Sequence, residues 1–154
     1  MSAIKDSGDR TTYSTGAVRD MHAGKGRFDL MPIDIMAHQL KDDVLSDLAA
    51  FQNNPGDYGY LFQALHRFSK LAFESEETMM LETAIHFEQG ALKYSPGNWK
   101  KGIPVDSYID SAVRHYLKWR RKDDDERHDR AFVWNIMCCI WTIWHIKEEN
   151  DVEN

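Results

Sequence analysis

The chain has only two cysteines, Cys138 and Cys139, and they are neighbours inside an apolar run. Adjacent cysteines cannot staple distant segments and lack the spacing of a zinc site or a redox pair, so both are expected as reduced core residues. No apolar run reaches membrane-spanning length, so no membrane association is expected. The opening stretch "MSAIKDSGDRTTYSTG" has no apolar h-region and no small-residue cleavage site, and a cytoplasmic setting is expected. A basic excess is missing too: 19 Lys and Arg stand against 25 Asp and Glu, a formal charge of −6. Such a surface repels a nucleic-acid backbone, so no nucleic-acid polymer is expected as a partner, and an anionic ligand must sit in a local basic pocket.

What is present suits one domain with one core: 154 residues, 42% hydrophobic and 29% charged. Residues 1–14 are polar and aperiodic and read as a mobile tail, leaving 15–150 as a single all-α domain. The glycines and scattered charges of residues 15–32 suit a long ordered loop. Pro32 can open a helix over 32–51, with Ile33, Met36, Leu40, Val44, Leu48 and Phe51 on one face. Helical spacing resumes through Leu61, Leu65 and Phe68, and again from Glu74 to Lys93. Ser95-Pro96-Gly97-Asn98 has the residues of a type II turn, and Asp106 or Ser107 can cap a helix to Arg121. The last helix, about 128–147, is apolar nearly all round, as in the centre of a bundle or a subunit contact. The spacing therefore predicts an all-α bundle of about five helices, and the terminal helix a homo-oligomer.

Several polar residues ask for a role. Glu88 shares a stripe with Leu81, Ala84, Ile85, Ala91 and Leu92, and a carboxylate buried on such a face requires a metal ion, a cation such as Arg114, or strong hydrogen bonds. Asp110 and Arg114 stand one helical turn apart, which an ordinary intrahelical pair explains, and His115 follows at once. Asp123, Asp124, Asp125 and Glu126 can offer oxygen ligands to Mg²⁺ or simply form a wet turn. His128, Asn135 and Thr142 recur every seven residues, a polar line that suits either a hydrogen-bond ladder or a ligand-facing edge. Two basic segments remain. Lys25 and Arg27 lie on a glycine-flexed backbone, and "KYSPGNWKK" sets Lys93, Lys100 and Lys101 beside Tyr94 and Trp99, a mix that can meet phosphates and stack on a base.

In this order "STGAVRDMHAGKGRFDLMP", "EQGALKYSPGNWKKGIP", "DSAVRHYLKW" and the Asn135-bearing helix resemble the dATP/dGTP diphosphohydrolase N-terminal domain family, common in bacteriophage genomes and similar to MazG-like all-α nucleotide pyrophosphohydrolases. The resemblance implies a helical bundle, Mg²⁺ or Mn²⁺, and hydrolysis of a purine deoxynucleoside triphosphate to monophosphate and pyrophosphate. If the chain is phage-encoded, it places the protein in the host cytoplasm. By position it implies catalytic roles for Glu88, Asp110 and His115 and metal ligation by Glu88 and Asp110, with Asp123 as a further ligand and Asp124 and Glu126 of the same turn left open as alternatives. It implies substrate contacts from Lys25, Arg27, Lys93, Tyr94, Asn98, Trp99, Lys100, Arg114 and Asn135. One departure stands out: the wider pyrophosphohydrolases carry Glu-Glu-x-x-Glu on one helix, and here Glu76-Glu77 is followed by Met80. The alternative is a non-catalytic protein on the same scaffold that sequesters a nucleotide, such as a signalling nucleotide.

Overall fold

The computed structural model describes residues 4–21 and 23–153, with residues 147–153 as backbone alone. Pro32 precedes the first helix, Ile33–Leu40 (α1), at a position where its missing N–H costs nothing. The expected helix over 32–51 is two helices, because Lys41 adopts a left-handed conformation (φ 52°) and its N–H closes onto Ala37 and His38. Asp42 then caps the next helix, Asp43–Asn53 (α2), accepting a hydrogen bond from Leu45 N–H at 2.8 Å. The apolar spacing runs through this break, so periodicity conceals it.

Four further helices follow: Gly59–Ala72 (α3), Glu76–Lys93 (α4), Val105–Arg120 (α5) and His128–Glu153 (α6). The described residues thus hold six helices, where the spacing predicts about five, in an all-α architecture. Short 3-10 turns lie at Phe28–Leu30 and Asn98–Lys101. Pro104 rather than Asp106 or Ser107 occupies the cap of α5. None of the helices described is long and apolar enough to cross a membrane.

One small sheet accompanies the helices. Arg10–Thr12 (β1) pairs antiparallel with Val18–Asp20 (β2), Thr11 opposite Arg19. Strands of three residues are too short to display alternation, and β1 falls within the stretch expected as a tail. The hairpin is tied to the bundle by Asn98, whose side chain takes Val18 N–H at 3.0 Å and donates to Val18 C=O at 2.7 Å. Gly97, with φ 73°, makes the turn that presents Asn98, and Asn98 N–H returns to Ser95 C=O at 3.2 Å.

The core is packed by α2, α3, α5 and α6. Its densest part is aromatic: the fully buried Phe68 ring lies 4.5 Å from Phe132, 4.9 Å from Trp119 and 5.8 Å from Tyr116. Cys138 and Cys139 are free and buried, and burial pushes both thiols well above their ordinary pKa. Helix α4 is turned the other way from the sequence expectation. Its buried positions are Met79, Thr83 and His86, whereas Leu81 and Leu92 are 73% and 83% exposed. The rings of His86 and Phe87 pack on Trp134 of α6, and that contact outweighs the aliphatic stripe on the opposite face.

Candidate functional site

Where the hairpin lies against α4, α5 and α6, a cavity of about 280 Å³ opens, and charged side chains from several elements line it. Arg19 and Asp20 enter from β2, Lys25 from the loop after it, Lys93 and Tyr94 from the end of α4, and Asp110, Arg114, His115 and Lys118 from α5. Trp134 and Asn135 of α6 and Glu126 of the preceding turn complete it. A helix places residues three or four positions apart on one face, so Asp110, Ser111, Arg114, His115 and Lys118 form a single polar edge of α5. The opposite edge of the same helix, with Tyr108, Ala112 and Tyr116, is core.

Arg19 is the residue that sequence reasoning missed. Its Nη2 donates to Ser111 Oγ at 2.8 Å and to Asn135 Oδ1 at 3.0 Å, and its guanidinium lies over Tyr108 and Trp134. Nη1 is buried and has no hydrogen-bond partner among the described residues. The only sequence signal was its place in the glycine-bearing stretch 15–32. His86 was also missed; its Nδ1 is buried without a hydrogen-bond partner among the described residues, and burial above all holds its pKa down to about 4.

Asp110 and Arg114 form the expected intrahelical pair, Arg114 Nη2 donating to Asp110 Oδ2 at 2.6 Å, but both also latch the loop. Asp110 Oδ1 accepts from Phe28 N–H at 2.7 Å, and Arg114 donates to Gly26 C=O at 2.8 Å. Asp20 takes part in a second latch: its N–H donates to Tyr94 Oη at 2.8 Å. Burial opposes ionisation of Asp20, yet hydrogen bonds from Ser7 and the charges of Lys93 and Lys25 bring its pKa below the ordinary carboxylate value. Burial lowers the pKa of Lys25.

At the far end of the cavity acids and histidines converge. His115 Nδ1 lies 3.0 Å from His128 Nδ1 and 3.7 Å from Glu126 Oε1, and His128 Nε2 contacts Asp125 Oδ1 at 2.7 Å. Burial, reinforced by His128, His86, Arg19 and Arg114, holds His115 well below the ordinary imidazole range, so it is neutral at neutral pH. Hydrogen bonds from Lys5, at 2.6 Å, and from His128 drive Asp125 well below the ordinary carboxylate range.

The other residues named from sequence lie elsewhere. Glu88 is exposed and absent from the cavity wall, which corrects the expectation of a buried carboxylate: its stripe on α4 faces outward. Arg27 is exposed and paired through Nε with Asp29 at 2.8 Å. Asn98 is buried beneath the hairpin, Trp99 packs 4.9 Å from Trp141, and Lys100 is exposed over the Trp99 ring. Asp123 is held by Arg121 Nε at 2.8 Å beside Asp125 and His128. The carboxylates Glu88, Asp110 and Asp123 therefore do not converge on one point, whereas His115, Glu126 and His128 do, with ligand atoms within 4.8 Å of one another.

The family described as dATP/dGTP diphosphohydrolase, N-terminal, has a model that matches residues 66–152. That span runs from within α3 into the last residues of α6 and covers more than half of the chain. No curated protein and no solved structure matches it.

Proposed function

Because the chain belongs to the dATP/dGTP diphosphohydrolase N-terminal family, we propose that the cavity binds a purine deoxynucleoside triphosphate and hydrolyses it to monophosphate and pyrophosphate. The observation that carries this reading is the convergence of Lys25, Lys93, Arg114 and Lys118 on a cavity that ends in carboxylate and imidazole groups. In a protein of net charge −6, such a local concentration of cations is what a triphosphate requires.

Lys93 and Lys25, with Lys118 on the facing helix, hold the phosphate oxygens, and Arg114 completes the clamp while its partner Asp110 fixes its fork. Trp134 and Tyr94 offer the aromatic faces against which a purine stacks, the part that sequence reasoning gave to Tyr94 or Trp99. Water adds to phosphorus, the α–β anhydride bond breaks, and the proton leaves toward the Glu126 and His115 end of the cavity. A divalent cation, Mg²⁺ or Mn²⁺ in the family-based reading, would be held by His115, Glu126 and His128, donors that fit one ion. When bound, it neutralises phosphate charge and makes water a better nucleophile.

The alternative, sequestration without cleavage, draws support from one observation: Asp110 and Asp123, two of the expected metal ligands, are engaged with arginines. A panel of deoxynucleoside triphosphates incubated with Mg²⁺ or Mn²⁺ and read for pyrophosphate separates the readings. Turnover of dGTP or dATP supports hydrolysis; tight binding without pyrophosphate supports sequestration; neither outcome overturns both. A homo-oligomer is part of the proposal, with the exposed Leu81 and Leu92 face of α4 as its contact in place of α6, whose apolar residues are mostly buried within the bundle.

A further inference from the structure

We propose that His115 Nδ1, His128 Nδ1 and Glu126 Oε1 bind one ion of the later first-row transition series in preference to Mg²⁺, with Asp125 as the carboxylate that orients His128. This deepens the functional reading above by naming the class of metal at the end of the cavity. Metal–nitrogen and metal–oxygen bonds of about 2.0–2.2 Å set neighbouring donors roughly 3 Å apart around a common ion. The 3.0 Å and 3.7 Å separations on His115 Nδ1 match that spacing.

The tautomers fit as well. His128 Nε2 faces Asp125 at 2.7 Å, so in the neutral ring the proton belongs on Nε2, where it meets a carboxylate. That leaves a lone pair on Nδ1, the atom turned toward His115. A ligating histidine commonly donates its other ring N–H to a carboxylate, which fixes the ring and strengthens the donor. Asp125 is itself anchored by Lys5 at 2.6 Å, so the orienting carboxylate does not need to move. His128 is 2% exposed, at the buried end of the cluster, while His115 and Glu126 line the cavity. Three protein donors with an open side toward the cavity is the arrangement that leaves positions for water or a phosphate oxygen.

Donor type then selects the metal. Mg²⁺ is a hard ion that takes oxygen ligands and near-ideal octahedral geometry, whereas imidazole suits Zn²⁺, Co²⁺ and Fe²⁺. Two nitrogens in a set of three favour the later ions, with Mn²⁺ between them and Mg²⁺.

The test uses the full chain without nucleotide, titrated in turn with CoCl₂, ZnCl₂, MnCl₂ and MgCl₂ by calorimetry, with the visible spectrum of the Co²⁺ form recorded. One ion per chain is expected, Co²⁺ and Zn²⁺ binding at least about tenfold more tightly than Mg²⁺, and a Co²⁺ spectrum that differs from that of the aqueous ion. Glu126→Gln and His115→Ala, checked for fold by circular dichroism, should abolish the spectrum, and Asp125→Asn should weaken binding by about 10- to 100-fold. His128 is buried, so the less deeply buried Glu126, whose side chain is 12% exposed, carries the decision if the His128→Ala protein does not fold. Equal affinity for Co²⁺ and Mg²⁺, an aqueous-like Co²⁺ spectrum, or unchanged affinity in Glu126→Gln would overturn the proposal and leave the imidazole pair as a hydrogen bond. Because metal binding is read without nucleotide, Co²⁺ binding with no pyrophosphate release counts against the hydrolytic reading alone, and turnover without this metal preference counts against the metal assignment alone.

Discussion

Helices α5 and α6 serve two regions of opposite character. On one side Tyr116 and Phe132 close around the Phe68 ring in a dry aromatic cluster; on the other His115, one position before Tyr116, and Asn135, three positions after Phe132, face the charged cavity. The aromatic cluster needs only burial, so its members satisfy one another by shape. The cavity needs partners for each polar group, and several remain without one: Arg19 Nη1, His86 Nδ1 and Arg114 Nε are buried with no hydrogen-bond partner among the described residues. Unsatisfied buried polar groups are costly, and these three belong to residues that line the cavity.

Substitutions can break this contrast. The largest effect is expected from Phe68→Ala, which opens a cavity at the meeting point of four aromatic rings and should cost about 3–5 kcal/mol in denaturant unfolding, with nucleotide affinity of the folded fraction unchanged. A loss of affinity at full folding would show that the two regions are coupled. Acid comes next. His86 has a folded pKa of about 4 against an ordinary 6.5, so it folds neutral, and the unfolded chain takes up its proton first as pH falls. Stability from this group is complete above pH 6.5 and is lost between about 6.5 and 4, on the order of 3 kcal/mol in all. Thermal melts across that range should be flatter in His86→Gln, and an unaltered profile would remove His86 as the cause.

Smaller effects belong to the cavity rim and the outer surface. Lys93→Ala should weaken triphosphate binding by about 1–3 kcal/mol, as loss of a charge-assisted hydrogen bond does, with unfolding little altered. Lys100→Ala, on the exposed side of Trp99, should leave affinity where it was; equal losses in both would place the phosphates outside the cavity. Glu88→Gln should change stability by less than about 0.5 kcal/mol, because the side chain is in water, and a large fall in metal affinity would return Glu88 to the site. Leu81→Lys with Leu92→Lys should lower the sedimentation coefficient if the outer face of α4 joins two copies, and an unchanged value would exclude that contact.

Much of the fold is legible because helix periodicity and turn residues are local. The Ser95-Pro96-Gly97-Asn98 turn follows from its own residues, and so do the limits of α4, where Ser75 accepts from Thr78 N–H. The break between α1 and α2 was available in the cap residue Asp42 but was masked by an apolar spacing that continues across it. The direction α4 faces was not available. Its aliphatic stripe and its Thr83–His86–Phe87 side are both plausible inner faces, and the choice depends on Trp134, a residue on another helix.

The site divides along the same line. Sequence pattern located Asp110, Arg114 and His115 on one helix and Lys93 and Tyr94 at the end of another, and the cavity does bring them together. Arg19 stayed hidden because nothing local distinguishes an arginine in a loop from a solvated one; its value comes from Ser111 and Asn135, 92 and 116 residues away. The family match begins at residue 66, so the hairpin and the loop that supply Arg19, Asp20 and Lys25 lie outside it.

By itself, then, the sequence determined the helical class, turns such as Ser95-Pro96-Gly97-Asn98 and which helices carry the polar residues that line the cavity, since these depend on neighbours within a few residues. Only the tertiary structure decided which face of α4 is buried, which carboxylates are neutralised by arginine, and which groups converge at His128. Those outcomes depend on how elements far apart in the chain compete for the same buried surface, and no local pattern records that competition.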